Sequence, residues 1–155
     1  LTPAQRAALA PQIRAAALAW AVAAAPAAEI DILGIAAATR RAMQTAVAAL
    51  NPQPQHLLID WVRLPLVNIL QFSCARADQT IVSVAAASIL AKVYRDGLMV
   101  EMDACYPGYG FARHKGYGAA AHLAALAQHG PCAEHRRSFA PVAHAPALFD
   151  PLPQP

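Results

Sequence analysis

SVAAASILAKVYRDGLMVEMDACYPGYGFARHKGY, residues 83–117, is the stretch around which the chain is organised. Its first half reads as a helix. Ala, Leu and Met dominate it, and neither Pro nor Gly interrupts Val84 to Asp96. Ser83 stands at the N-cap position, where its oxygen accepts an orphan backbone N–H. Ile89, Leu90, Val93 and Leu98 fall on one apolar side. Ser88, Lys92 and Asp96 recur at steps of four and share another stripe. The second half changes character: YPGYGF is turn chemistry with aromatics, and ARHKGYG is a basic loop ending in an aromatic ring. This arrangement suits a nucleic-acid surface, and equally an ordinary surface helix and loop.

On the N-terminal side, Thr2-Pro3 opens a helix, with Thr as N-cap and Pro at the first helical position. Leu9, Ile13 and Leu18 give it an apolar face. Leu18 to Val22 reads as a strand with Leu18, Trp20 and Val22 on one side. Residues 27–33 and 35–50 read as two helical pieces broken at Gly34, and Pro52 and Pro54 mark a loop. His56 to Asp60 is a short apolar strand ending in a carboxylate. Val67 to Phe72 is a second strand, followed by a polar connection holding Arg76 and Asp78. Beyond the central stretch a helix is expected over residues 119–128, stopped by Gly130-Pro131. Strands alternating with helices argue for an α/β fold.

The chain has 155 residues, enough for one domain of ordinary size. We expect that domain over residues 1–142 and a disordered Pro-rich tail over 143–155. At 57% hydrophobic and 14% charged, the bulk of the chain is not of disordered composition. The longest apolar run, Ala15 to Ala28, is short for a bilayer and fits a buried strand or helix, so no membrane partner is expected. No signal-peptide pattern is present, and the expected location is the cytoplasm. The chain begins at Leu1, from which we expect an incomplete translation product. A net charge of +3 gives mild support for a polyanionic partner. Cys74, Cys105 and Cys132 form no C-x-x-C pair and read as free thiols. His114, His122, His129 and His135 lack the spacing of a metal site.

In open α/β sheets, ligands sit outside the carboxyl ends of strands. Asp60 falls there directly, and Asp78, beyond the next strand, can converge on the same point. Carboxylates so placed suit hard divalent ions that activate water for phosphodiester hydrolysis. The alternative for either residue is a solvated loop or cap acid.

Three blocks carry a resemblance: AAASILAKVYRD, YPGYGFARHKGYG, and HRRSFAPV at His135–Val142. In order and spacing they resemble the C-terminal half of ribonuclease HII, closest to its bacterial members, and the likeness covers residues 1–142. The resemblance implies a ribonuclease H-like α/β fold with a mixed sheet flanked by helices. It implies a metal-dependent endonuclease that cleaves the RNA strand of RNA–DNA hybrids, and cleaves 5′ to single ribonucleotides in duplex DNA. Mg²⁺ or Mn²⁺ would be the cofactor, in a two-metal site built from four carboxylates. Asp60, after L-I-D, and Asp78, before the serine-alanine helix, match two of them as catalytic metal ligands. Asp96, in VYRD, and Lys92 would stand behind the ligands rather than touch the ions; the alternative for Asp96 is a helical pair with Lys92. Tyr117 in HKGY would stack on the sugar at the RNA–DNA junction. Arg113, Lys115, Arg136 and Arg137 would hold phosphates. HRRSF also has a structural alternative, with Phe139 packed under the sheet.

The chain departs from the family pattern. The Asp-Glu-x-Gly-Arg-Gly strand and the Asp-Ser-Lys-Lys block that open family members are absent, and with them two metal carboxylates and the first two strands of the sheet. Trp-Val-Arg follows Asp60 where the family has Gly-Asn-Arg, Arg76-Ala77 stands where bacterial members have Lys-Gly, and Gly34 replaces an Asn. The 155 residues alone are therefore expected to be inactive. A non-catalytic nucleic-acid-binding remnant is the alternative from a second class, and a purely structural α/β domain from a third.

Overall fold

The computed structural model describes residues 1–144. The tail expected over 143–155 falls outside them from residue 145 onward. Two compact units divide the chain. One comprises Leu1–Ala25 and Ile35–Arg95, the other Pro26–Gly34 and the residues from Asp96 onward.

The first unit opens with α1 (Pro3–Ala16). Thr2 caps it as expected, its hydroxyl accepting the Gln5 amide while the Gln5 side chain returns to the Thr2 amide. The strand expected over Leu18–Val22 does not form. That segment has no ladder partner among the described residues, and Leu18 is 94% exposed. Alternation supplied the apolar pattern of a strand but not the neighbour that a strand's N–H and C=O groups require. For the same reason Ala15–Ala28 is neither one helix nor one strand.

Helix α3 (Ile35–Ala48) leads to β1 (His56–Asp60) and β2 (Leu70–Cys74), which pair in parallel with Leu58 opposite Phe72 and Asp60 opposite Cys74. β1 has its expected bounds. β2 begins later than the expected Val67, because Val67 and Ile69 are spent on the connection instead. Parallel strands ordinarily need a crossover helix. Here the connecting residues 61–69 fold down as a loop and fill that layer, with Leu64 only 1% exposed among Leu57, Ile59, Met43 and Val47. The Gln71 side chain clamps the loop: its carbonyl accepts the Leu64 amide at 2.9 Å, and its NH₂ donates to the Leu64 and Val67 carbonyls. The opposite face of the pair shows Leu58, Leu70 and Phe72 to solvent.

After β2 comes one turn of helix, α4 (Ala77–Thr80), then α5 (Val82–Cys105). α5 starts one residue before Ser83, so Ser83 lies inside the first turn and is not the cap. Ile81 launches the helix; its amide closes α4 on Ala77, and its carbonyl accepts the Ala85 amide.

The second unit contains α2 (Ala27–Leu33), the end of α5 from Asp96, α6 (Phe111–His114), α7 (Ala120–His129) and α8 (Ala140–Ala143). Gly34 ends α2 at φ +76, the expected break. The core gathers Met99, Tyr109, Phe111 and Ala125, with Met102, Tyr106 and Cys132 against them. Tyr109 and Phe111 stack with ring centroids 5.2 Å apart, and the Tyr109 hydroxyl donates to the Gly130 carbonyl at 2.7 Å.

Candidate active site and nucleic-acid interface

Asp60 ends β1, and its Oδ1 accepts the backbone N–H of Ala77 at 3.0 Å. Asp78 is the next residue, in the first turn of α4. The two carboxylate-bearing residues are thus tied together by one hydrogen bond and one peptide link. The chain turns sharply at both: Trp61 follows Asp60 at φ +67, and Arg76 precedes α4 at φ +57. Both lie in the left-handed region, which bulky residues avoid. The Trp61 amide still pairs with the Cys74 carbonyl at 3.0 Å, so the turn begins from a fixed point.

Two carboxylates on adjoining elements are what Mg²⁺ takes from protein, with water and phosphate oxygens completing its shell. Asp60 and Asp78 are the two carboxylates that this corner of the fold offers for such an ion. Among the described residues no group of three or more His, Cys, Asp or Glu could hold a metal ion, so the four-carboxylate set is not assembled there.

Lys92 is exposed on α5 and donates to Ser88 Oγ at 2.6 Å, one helical turn back. Asp96 is half-buried on the same helix, and its backbone carbonyl accepts from Lys115 Nζ at 3.3 Å. Lys115 therefore reaches back to α5 from the basic loop.

That loop carries Arg113, Lys115 and Tyr117 together. Lys115 has φ +53 and Gly116 φ +76, a double left-handed turn that leads into Tyr117, itself 68% exposed. His114 builds the turn from inside. It accepts the Gly116 amide at Nδ1 (3.2 Å) and lies 2.7 Å from the Tyr109 carbonyl through Nε2.

The HRRS segment reaches the same loop through its histidine. His135 is buried; its Nε2 lies 3.1 Å from Nε2 of His122, and Nδ1 of His122 lies 2.9 Å from the Tyr117 carbonyl. Burial, and to a lesser extent the neighbouring His122, push the His135 pKa down to about 4. Burial lowers that of His122 as well. Arg136 stacks over the Phe139 ring at 3.8 Å, and Phe139 is 40% exposed, so that ring carries a guanidinium. Asp31 on α2 fixes the next turn, accepting the Arg137 amide at 2.8 Å, the Ser138 amide at 2.9 Å and the Ser138 hydroxyl at 2.6 Å. The Ser138 hydroxyl, followed by these amides, holds the Asp31 carboxyl below the usual carboxylate range.

Sequence reasoning missed Gln71, Asp31 and the paired imidazoles of His122 and His135. Their partners lie on other elements, and no local spacing announces them.

The model of the ribonuclease HII family matches residues 1–142. The chain belongs to the ribonuclease HII family. It is 52% identical to the ribonuclease HII of Polaromonas sp. strain JS666, over 92% of this chain and 72% of that protein. It is 51% identical to the ribonuclease HII of Paracidovorax citrulli, over 94% of this chain but only 60% of that one. Among solved structures it matches the ribonuclease H2 of Pyrococcus horikoshii with a TM-score of 0.76, at 21% identity, over 92% of this chain and 75% of that chain. The fold is therefore the α/β fold of that protein, within the ribonuclease H-like class expected. No helix of the described residues is long and apolar enough to cross a membrane.

Proposed function

We propose that the protein containing this chain is a cytoplasmic, metal-dependent endonuclease. It hydrolyses the RNA strand of RNA–DNA hybrids and the phosphodiester 5′ to a single ribonucleotide in duplex DNA, leaving a 3′-hydroxyl. The observation that carries this reading is the hydrogen bond tying Asp60 to the amide that precedes Asp78, in a chain of the ribonuclease HII family. It ties Asp60, at the end of β1, to the residue before Asp78, in the first turn of α4.

Asp60 and Asp78 would hold Mg²⁺ or Mn²⁺, which would supply an activated water and a counter-charge for the phosphate. Lys92 and Asp96, both on α5, would stand behind the ligands rather than touch the ion. Arg113, Lys115, Arg136 and Arg137 neutralise backbone phosphates, which positions a duplex without reading its sequence. The exposed Tyr117 ring packs on a deoxyribose and is crowded by a 2′-hydroxyl, so it distinguishes the two sugars at one position. The test is cleavage of a duplex carrying one ribonucleotide by the full protein. Loss on chelation and on Asp60→Asn supports the reading; chelator-resistant cleavage overturns it.

A further inference from the structure

Tyr117 comes from a loop, His122 from a helix, and Cys132 and His135 from the two ends of one turn, yet they form one unbroken hydrogen-bonded line. The Cys132 backbone amide donates to Nδ1 of His135 at 3.1 Å. An amide nitrogen can only donate, so Nδ1 of His135 is the acceptor and its proton is on Nε2. That Nε2–H faces Nε2 of His122 at 3.1 Å, which must then be bare. His122 accordingly carries its proton on Nδ1 and donates it to the Tyr117 carbonyl at 2.9 Å. Each tautomer follows from the one before it, with no ambiguous member.

We propose that His122 and His135 are positioning residues for Tyr117. The line of donors running from the Cys132 amide through both imidazoles fixes the backbone from which the Tyr117 ring projects toward the sugar. The proposal rests on the reading of Tyr117 as the sugar-contacting residue, and assigns the residues that set its place.

The surroundings favour a line that does not re-orient. His114 stacks on His122 with centroids 4.3 Å apart and planes 12° apart, and is itself fixed by the Gly116 amide and the Tyr109 carbonyl. Its backbone carbonyl accepts the Tyr117 amide at 3.0 Å, so Tyr117 is held at both its N–H and its C=O. The Phe111 ring packs edge-on to His122 and at a tilt to His135.

The line also works only with both rings neutral. A proton added to either bare nitrogen sets N–H against N–H at the central contact or against the Cys132 amide. Among the described residues the titratable groups facing the pair are few. They are His114 on the stacked side, the Tyr109 hydroxyl-bearing ring tilted against His135, and the Cys132 thiol 3.0 Å from Nδ1 of His135. Glu134 lies beyond that thiol and His129 beyond Tyr109. Among the described residues no carboxylate hydrogen-bonds to either imidazole, and burial outweighs the backbone hydrogen bonds that each ring makes.

Two variants separate positioning from mere filling of space. His135→Gln keeps a donor near the Nε2 position, toward His122, and loses the acceptor for Cys132. His135→Asn keeps the acceptor and loses the donor. Imidazole ¹⁵N NMR of the full protein that contains this chain, at pH 7, should show His122 protonated on Nδ1 and His135 on Nε2. The Nδ1–H state of His122 and the wild-type Tyr117 amide resonance should persist in His135→Gln and be lost in His135→Asn. A His122 protonated on Nε2, or charged, in the wild-type protein overturns the proposal, even where the variants fail to fold. So does an unmoved Tyr117 resonance in His135→Asn. Preference for a single ribonucleotide over a long hybrid, measured on the same samples, tests the role of Tyr117 separately. If the resonances respond and the preference does not, the relay stands and the sugar contact falls.

Discussion

Oδ1 of Asp60 accepts the amide of Ala77 at 3.0 Å, and Ala77 is wholly buried. One carboxylate oxygen is thus committed to structure, while the residue as a whole stays half-buried at the end of its strand. Asp60→Asn retains an acceptor oxygen for Ala77. It should abolish Mg²⁺-dependent cleavage in the full protein, with duplex binding and stability largely intact. Asp60→Ala should abolish cleavage and also lose about 1–3 kcal/mol of stability, because the Ala77 amide is left without its acceptor. Cleavage assays and urea melts on the same samples check both. Near-wild-type turnover in Asp60→Asn removes Asp60 from the site. Asp78→Asn should lose cleavage similarly.

Tyr117→Ala should impair cleavage at a single embedded ribonucleotide more than cleavage of a long RNA–DNA hybrid. Stacking losses of this kind run to about 1–3 kcal/mol. A hybrid offers many registers, whereas a single junction offers one. Equal losses on both substrates would mean that the ring supports the loop and not the junction.

Trp61 is 77% exposed and sits at φ +67. A left-handed conformation costs an L-residue roughly 1–2 kcal/mol and costs glycine almost nothing. Little burial is lost with the ring, so Trp61→Gly should stabilise the chain by about 0.5–1 kcal/mol, after the greater freedom of glycine in the unfolded state is set against it. A lower denaturation midpoint would show that the indole makes compensating contacts.

His135 titrates near pH 4 in the folded chain, because burial and the neighbouring His122 resist its charge. In the unfolded chain the ordinary value is about 6.5. Above that pH both states hold a neutral ring and its contribution is fully present. As pH falls from about 6.5 to 4 the unfolded chain takes up a proton that the native chain refuses, and on the order of 2 kcal/mol is lost. Urea midpoints between pH 7 and 4.5 should fall less steeply in His135→Gln than in the wild type. Parallel slopes would remove His135 from the acid transition.

Leu70 is 72% exposed, Phe72 58% and Leu58 46%, all on one face of the two-stranded sheet. Apolar area of this kind beside open strand edges favours self-association. Leu70→Lys with Phe72→Lys should lower the sedimentation-average mass of the 155-residue chain at fixed concentration. An unchanged, monomeric mass in both would show that the face is tolerated in water.

The sequence was most legible where a local rule suffices. Thr2 and Pro3 announce α1, Gly34 breaks the next pair of helices, and the apolar run ending at Asp60 marks β1. It misled where apolar pattern and pairing part company. Leu18, Trp20 and Val22 alternate like a strand but have no ladder partner among the described residues, whereas Val67 and Ile69 look like strand and serve as core-filling loop. Ser83 has cap chemistry, yet the helix starts at Val82, because Ile81 already closes the preceding turn. That Asp60 and the segment bearing Asp78 come together was legible from strand ends. The two imidazoles were not, since His122 and His135 meet only after α7 and the HRRS turn are in place.

Asp31 and Ser138 are joined across 107 positions of the chain. A ribosome adds roughly 5–20 residues per second, so roughly 5–20 s pass between the appearance of the carboxylate and of its hydroxyl partner. All of Ile35–Arg95 is made within that interval and can pack its own core first. Helix α2 therefore meets this partner only after Ser138 is synthesised. Contacts of such long range are those that slow folding. Closing the Asp31 clamp is a late event in the life of the nascent chain, and the turn bearing Arg136 and Arg137 takes its final form only then.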